Sequence, residues 1–319
     1  VRSIDDRLCS NGVFVTEQAS PSGPDRKSRL HVEVEIASQP ETWRVAAGLA
    51  DELRALLPAG RIALTGCGTS FYVAQSVAVL WESAGLGPAD AFAASEMPAR
   101  TDYDRVVVIS RSGTTTELLD LLHRLGDAPT LALVGSTGPV STAATSHLVL
   151  DFADEESVVQ TRFATSVIAL FRALIGDDVS ALADQVTAEL SQPTLEFAGA
   201  ERFVFLGTGA GVGLAHEAAL KMREASRTVT ESYPAMEYRH GPIALAEPGV
   251  VVWLLGTPPA GLVDDVLHTG AVVVNDDLDP LVDLVRVQAT AVAIAHGKGL
   301  DADNPRNLTR AVLLAEPSL

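Results

Sequence analysis

An internal repeat constrains the fold of this chain more than any other feature. Arg61-Ile62-Ala63-Leu64-Thr65-Gly66-Cys67-Gly68 lies over Arg202-Phe203-Val204-Phe205-Leu206-Gly207-Thr208-Gly209, at an offset of 141 residues. Each copy reads as a buried strand, a Gly-x-Gly turn and a helix carrying Ala74 or Ala215. Further apolar runs follow each copy. After the first they lie at Ala89–Ala94, Arg105–Ile109, Thr130–Val134 and His147–Phe152. After the second they lie at Val250–Leu255, Gly270–Val274 and Leu281–Val287. Helical stretches separate most of them, at Ser166–Ile175, Ser180–Leu190 and Ala289–His296 among others, and another runs from near Glu41 to Leu57. Strands alternating with helices form parallel sheets covered on both faces. The prediction is an α/β chain of two tandem units, each a doubly wound parallel sheet flanked by helices. The boundaries expected are a loose tail over 1–34, a first unit over 35–190 and a second over 191–319. Ser191-Gln192-Pro193-Thr194 reads as the linker.

The composition narrows the function classes. A length of 319 residues, 47% hydrophobic and 20% charged, is that of a globular chain with about two domains. The formal charge of −18 argues against nucleic acid and anionic membrane as partners. It also repels a phosphorylated ligand at long range, so a phosphate site must work through local dipoles and a few placed cations. No apolar run approaches a membrane span, and Val1 to Arg29 lack the apolar core of a signal peptide. Two cysteines, Cys9 and Cys67, are too few for a disulfide framework, and no ligand spacing points to a metal. A cytoplasmic protein without cofactor or metal is the expectation.

A second feature lies at Ser110-Arg111-Ser112-Gly113-Thr114-Thr115-Thr116-Glu117. It follows the apolar run ending at Ile109 and precedes a helical pattern from Leu118 to Leu125. Five hydroxyls and a glycine therefore sit where the first amides of a helix have no internal partner and the helix dipole is positive. Such a turn suits a phosphate. Thr114 and Glu117 also fit a capping box, and a capped helix with spare hydroxyls is the alternative.

The two repeats differ where chemistry can reside. His216-Glu217-Ala218-Ala219-Leu220-Lys221-Met222-Arg223-Glu224 follows the second Gly-x-Gly turn, and Leu80 and Ser83 stand at the first-copy positions of Lys221 and Glu224. Glu217, Lys221 and Glu224 fall on one helix face. A surface ion pair explains that spacing as well. Ligands of open α/β sheets, however, bind beyond the strand ends, which is where this face begins. Gly207-x-Gly209-x-Gly211-x-Gly213 misses the dinucleotide spacing, and its glycines are read as packing devices. Cys67 is read as a small residue in a tight turn rather than a nucleophile, and Thr69 and Ser70 as better contacts for an anion. His240 sits in a loop framed by Pro234 and Pro242.

Taken together these segments resemble the sugar isomerase (SIS) family, most nearly the isomerase half of the isomerizing glutamine–fructose-6-phosphate aminotransferases. The matching stretches are Glu35-Ile36-x-x-Gln39-Pro40, Cys67-Gly68-Thr69-Ser70, Ser110-x-Ser112-Gly113-x-Thr115, Ala219-Leu220-Lys221-x-x-Glu224, His240-Gly241-Pro242 and Pro305-Arg306-Asn307-Leu308. The resemblance implies two tandem SIS domains and a phosphorylated sugar as ligand. Ser70, Ser110, Ser112 and Thr115 would bind the phosphate, with Thr69, Gln160 and Glu217 lining the site. Arg111, in place of a family glutamine, would add a charged contact. Glu224 would move a proton between C1 and C2, and Lys221 would stabilise charge on oxygen. His240 would assist ring opening from the partner subunit of a homodimer.

Two departures shape the expected reaction. No glutaminase segment is present, so ammonia from glutamine is not expected. Arg310 stands at the family's Schiff-base lysine, and arginine stays protonated and forms no imine. What remains is ring opening and proton abstraction α to a carbonyl. The reading is an aldose–ketose isomerase/deaminase of a hexosamine 6-phosphate. A lyase that eliminates the C3 substituent of N-acetylglucosamine 6-phosphate is the enzymatic alternative. A non-catalytic phosphosugar sensor is the other, although residues 1–34 are too short and polar for a DNA-binding domain.

Overall fold

The computed structural model describes residues 30–98, 102–197 and 199–314. Three helices come first: α1 (His31–Ala37), α2 (Gln39–Ala47) and α3 (Ala50–Leu56). The first sheet region follows as β1 (Ile62–Gly66), α4 (Thr69–Ser83), β2 (Ala89–Ala93), β3 (Arg105–Ser110), α5 (Thr116–Leu125), β4 (Thr130–Val134), α6 (Pro139–Ala143) and β5 (Ser146–Val149). Helices α7 (Arg162–Leu174) and α8 (Val179–Leu190) lead to the second region. It consists of β6 (Arg202–Gly207), α9 (Gly211–Ser226), β7 (Val229–Pro234), β8 (Val250–Leu255), α10 (Leu262–Leu267), β9 (Val272–Val274) and α11 (Pro280–Gly297). Both sheets are parallel throughout, in the orders β2-β1-β3-β4-β5 and β7-β6-β8-β9. A strand followed by a helix occurs at both copies of the sequence repeat, as β1–α4 and β6–α9. No helix among the described residues is long and apolar enough to cross a membrane.

Alternation along the strands covers both faces of each sheet. In β3, Val107 and Ile109 face a large core that also takes in Trp43, Trp81, Phe163, Phe205 and Trp253, while Val106 and Val108 face α5. In β6, Phe203 and Phe205 join that same large core, and Val204 and Leu206 pack outward with Tyr238 and Val252. The two sheets therefore share one apolar interior, with α4 packed against α9 at its centre. Gly213 permits that contact. A Cβ there would lie 2.5 Å from the Tyr72 carbonyl and 2.4 Å from the Ser76 Oγ.

The structure corrects several expectations. Helix α1 begins inside the segment read as tail, because Asp303 accepts from the amides of His31 and Val32 at 2.8 Å and so caps it. The rest of that tail, residues 1–29, lies outside the described residues. Leu281–Val287, expected as a strand, is the first half of α11. Its apolar residues are buried on more than one face, which hides the helical period, and Asp279 caps the helix through the Leu281 amide at 2.9 Å. Edge strand β7 was not expected, since Glu231 and Ser232 dilute its apolar signal. The helix expected from Glu41 to Leu57 breaks at Gly48–Leu49 into α2 and α3.

Candidate active site

Strands β1 and β3 are neighbours, and the chain leaves them toward opposite edges of the sheet. Their carboxyl ends form the crevice in which open α/β sheets bind ligands. Two turns meet there. After β1, Gly66 lets the chain fold back so closely that a Cβ on it would lie 2.5 Å from the Ser70 Cβ. Thr69 and Ser70 are thereby the first, buried residues of α4. After β3, the Ser110 hydroxyl accepts from the Gly113 amide (3.2 Å), and the Ser112 hydroxyl accepts from the Thr114 amide (3.3 Å) and hydroxyl (3.2 Å). Gly113 has φ +66° and abuts the Ser136 carbonyl. Helix α5 starts one residue later than a Thr114/Glu117 capping box requires. Thr115 is its N-cap and makes no side-chain capping bond. Glu117 lies beside Cys67 instead. Burial first, and then that carboxylate, push the Cys67 thiol up to about 12, so it is no nucleophile at neutral pH.

The ionisable face of α9 comes against the first of these turns. Lys221 Nζ donates to the Thr69 hydroxyl at 3.0 Å and to Glu224 Oε2, and lies 3.5 Å from Glu217 Oε1. The Thr69 hydroxyl in turn donates to Glu217 Oε1 at 3.2 Å. Lys221 and Glu217 are each 1% exposed at the side chain, whereas Glu224 is 18% exposed. This is no solvated surface pair. Burial opposes the charge on Lys221, but Glu217 and Glu224 together hold its pKa above the ordinary value. Burial pushes Glu217 up to about 7, against the pull of Lys221. One Glu217 oxygen, Oε2, is buried without a partner. Of the three groups Glu224 is the most exposed, and Lys221 donates to it.

The structure does not unite every expected site residue. Arg111 turns inward, with a side chain 1% exposed. Its guanidinium donates to the carbonyls of Ser157 (2.8 Å), Val158 (3.2 Å) and Arg310 (3.2 Å) and lies 3.8 Å from Glu155. A side chain so committed to carbonyls is not poised as a phosphate ligand, which corrects that expectation. Gln160 lies in the neighbouring loop, and its Oε1 is buried without a partner. His240 ends a short 3-10 helix, Ala235–His240, and is exposed. It joins none of the hydrogen bonds or ion pairs of the Lys221 cluster. Glu155 was missed. It is fully buried and accepts from the Thr161 amide (2.5 Å) and hydroxyl (2.8 Å) and from the Arg162 amide (2.9 Å). In sequence it sits in an acidic run, Asp154-Glu155-Glu156, that reads as a surface patch. Two cavities of about 330 and 320 Å³, between α8, α11, α1 and the 192–195 linker, are lined by none of Thr69, Glu217, Lys221 and Glu224.

Comparison with known proteins accords with this geometry. Residues 55–175 match the SIS domain family. The matched stretch runs from before β1 through β5 to the end of α7. It is 29% identical over 333 residues to the isomerizing glutamine–fructose-6-phosphate aminotransferase of Bacteroides thetaiotaomicron, covering 84% of this chain and 53% of that one. The same enzyme of Bacillus licheniformis is 28% identical, with 98% of this chain and 63% of that one covered. The chain thus spans about half the length of the curated relatives it matches. Among solved structures, a glucosamine-6-phosphate deaminase from Thermotoga maritima superimposes with a TM-score of 0.76 at 23% identity, covering 89% of this chain and all of that one. The tagatose-6-phosphate ketose/aldose isomerase of Escherichia coli gives 0.73 at 17% identity, with coverages of 93% and 99%. At these identities the structural likenesses show a shared fold.

Proposed function

We propose that this protein is an isomerase/deaminase of a hexosamine 6-phosphate. One observation carries the reading: a buried lysine joins a partly exposed carboxylate, Glu224, to Thr69 beside the hydroxyl-rich turn. The phosphate sits on the 110–115 turn and Ser70, where amides, hydroxyls and the α5 dipole favour an anion despite the negative net charge. Glu224 removes the C2 proton of the open-chain amino sugar, Lys221 neutralises the oxygen charge that develops, and Glu224 returns the proton at C1. The product is the C2 imine of the ketose. Water then hydrolyses it to the ketose phosphate and ammonia. Lys221 keeps its charge in the interior because two carboxylates flank it, so it is ready as an electrostatic partner from the outset.

His240 assists ring opening from the other subunit of a homodimer. Its exposure and the exposed Met236 and Leu245 on either side of it support that arrangement. The two halves, 35–190 and 191–319, act as paired SIS units, one holding the anion and the other supplying the ionisable groups.

Proton NMR in D₂O with glucosamine 6-phosphate, its N-acetyl form and fructose 6-phosphate tests this. Deuterium at C1 or C2 with release of ammonia and ketose is the expected result. An unsaturated acetamido sugar would replace the reading with a lyase. Tight binding without exchange in any of the three would replace it with a sensor.

A further inference from the structure

Two positions that depart from the aminotransferase pattern, Arg111 and Arg310, meet in space. Arg111 leaves the anion turn, and its guanidinium donates to three carbonyls, those of Ser157, Val158 and Arg310. Ser157 and Val158 belong to the loop that carries Gln160. That loop is tied down from other sides as well. Glu35 Oε1 accepts from the amides of Glu156 (2.6 Å) and Ser157 (3.2 Å), and the Asp303 carbonyl accepts from the Val158 amide (2.9 Å). The Arg310 side chain itself donates to the Glu155 carbonyl and to Asp154.

Beyond Arg310 the chain runs to the start of α5. The Val312 carbonyl accepts from the Thr116 amide at 3.3 Å, and the Leu314 amide donates to the Thr116 hydroxyl at 3.1 Å. One buried guanidinium thus connects the anion turn, the Gln160 loop and a segment lying across the first residues of α5. A planar fork with five donors can satisfy carbonyls from two separate segments at once, which a compact ammonium does not do. A phosphate drawn to Arg111 would have to displace these carbonyls from an interior site.

We infer that Arg111 is a positioning residue: it holds the Gln160 loop and the 310–314 segment against the anion turn, and those two elements, rather than its own charge, meet the sugar. The sugar part of this inference rests on the proposed function above. The arrangement also gives Arg310 a use other than imine chemistry, as the second anchor of the same segment.

The test compares Arg111→Lys with the wild-type full chain. Calorimetry reads binding of inorganic phosphate and of glucosamine 6-phosphate, and hydrogen exchange reads peptides covering 155–161 and 308–314. With Lys, phosphate affinity should stay within about twofold and sugar-phosphate affinity should fall roughly tenfold or more, because the point charge survives and the fork does not. Exchange should rise in both peptides and not at 69–76. Retained sugar-phosphate affinity with unchanged exchange would overturn the inference, as would parallel loss of both ligands, which marks a direct phosphate contact. Removing Arg111 strands Glu155 in the interior, so Arg111→Gln with Glu155→Gln serves as a second, charge-matched variant, and the same pattern is expected. If the wild type binds neither ligand, the phosphosugar reading fails. The exchange experiment then judges Arg111 alone, and unchanged exchange overturns it.

Discussion

The β1–α4 and β6–α9 units are similar strand–turn–helix elements that touch each other at aligned positions. Position 76 of the first copy corresponds to 217 of the second, and position 69 to 210. The Ser76 hydroxyl donates to the Ala210 carbonyl at 2.8 Å, and the Thr69 hydroxyl donates to Glu217 at 3.2 Å. Each contact joins the same two aligned positions, but residue 76 donates to a backbone carbonyl in the first and residue 69 donates to a side chain in the second. On one side it is a neutral hydroxyl on a carbonyl. On the other it is a buried carboxylate that also holds a lysine. The two helices differ along one face, where Ser76, Leu80 and Ser83 of α4 stand at the positions of Glu217, Lys221 and Glu224 in α9. Two similar units thus present unlike helix faces to each other, and at these positions only the second carries ionisable groups.

The comparison is best broken at its most divergent position. Glu224→Gln should lower deuterium exchange into the sugar by about 10²- to 10⁴-fold, the usual worth of a positioned base, with the fold intact. Exchange at the wild-type rate in that variant would move the base elsewhere. The next effect concerns Glu217. Its carboxyl ionises near 7 in the folded protein against 4.5 for the free group. A raised acid pKa means the folded state binds the proton more tightly. The resulting stability is full below about 4.5 and is lost as pH rises through 7, by up to about 3 kcal/mol. Glu217→Gln should therefore flatten the fall in denaturation midpoint between pH 5 and 8, roughly the window in which the wild-type group loses its proton. An unchanged pH profile would show that Lys221 keeps Glu217 ionised throughout.

Smaller effects probe the shared scaffold. Gly213→Ala places a methyl within 2.5 Å of the Tyr72 carbonyl, so α4 and α9 must part. A cost of about 1–3 kcal/mol in urea unfolding is expected, with loss of activity because Thr69 leaves Lys221. A stabilised variant, gaining from helix propensity alone, would refute the close packing. Ser76→Ala removes only the neutral one of the two contacts. It should cost about 0.5–1.5 kcal/mol and leave the exchange reaction nearly untouched.

Legibility from sequence followed the range of the forces involved. The Gly-x-Gly turns, the strand–helix alternation and the hydroxyl turn are set within a few residues, and the sequence shows them plainly. The i, i+4, i+7 face of Glu217, Lys221 and Glu224 is equally local. Local signals failed where burial on several sides erases periodicity, as along Leu281–Val287, or where an edge strand carries polar residues, as in β7. They failed again at Arg111. The family resemblance pointed its charge toward an anion, and its direction depended on carbonyls 46, 47 and 199 residues away.

The sequence alone therefore determined the repeated α/β unit, the two crevice turns and the set of groups able to do chemistry, because backbone sterics and helical spacing act over a turn or two. Tertiary structure decided how those groups are placed. It brought Thr69 of one unit onto Lys221 of the other, buried Glu217 while leaving Glu224 partly open, and turned Arg111 into the interior. Those outcomes depend on desolvation and on hydrogen bonds between distant segments, which exist only once the two sheets have closed on their common core.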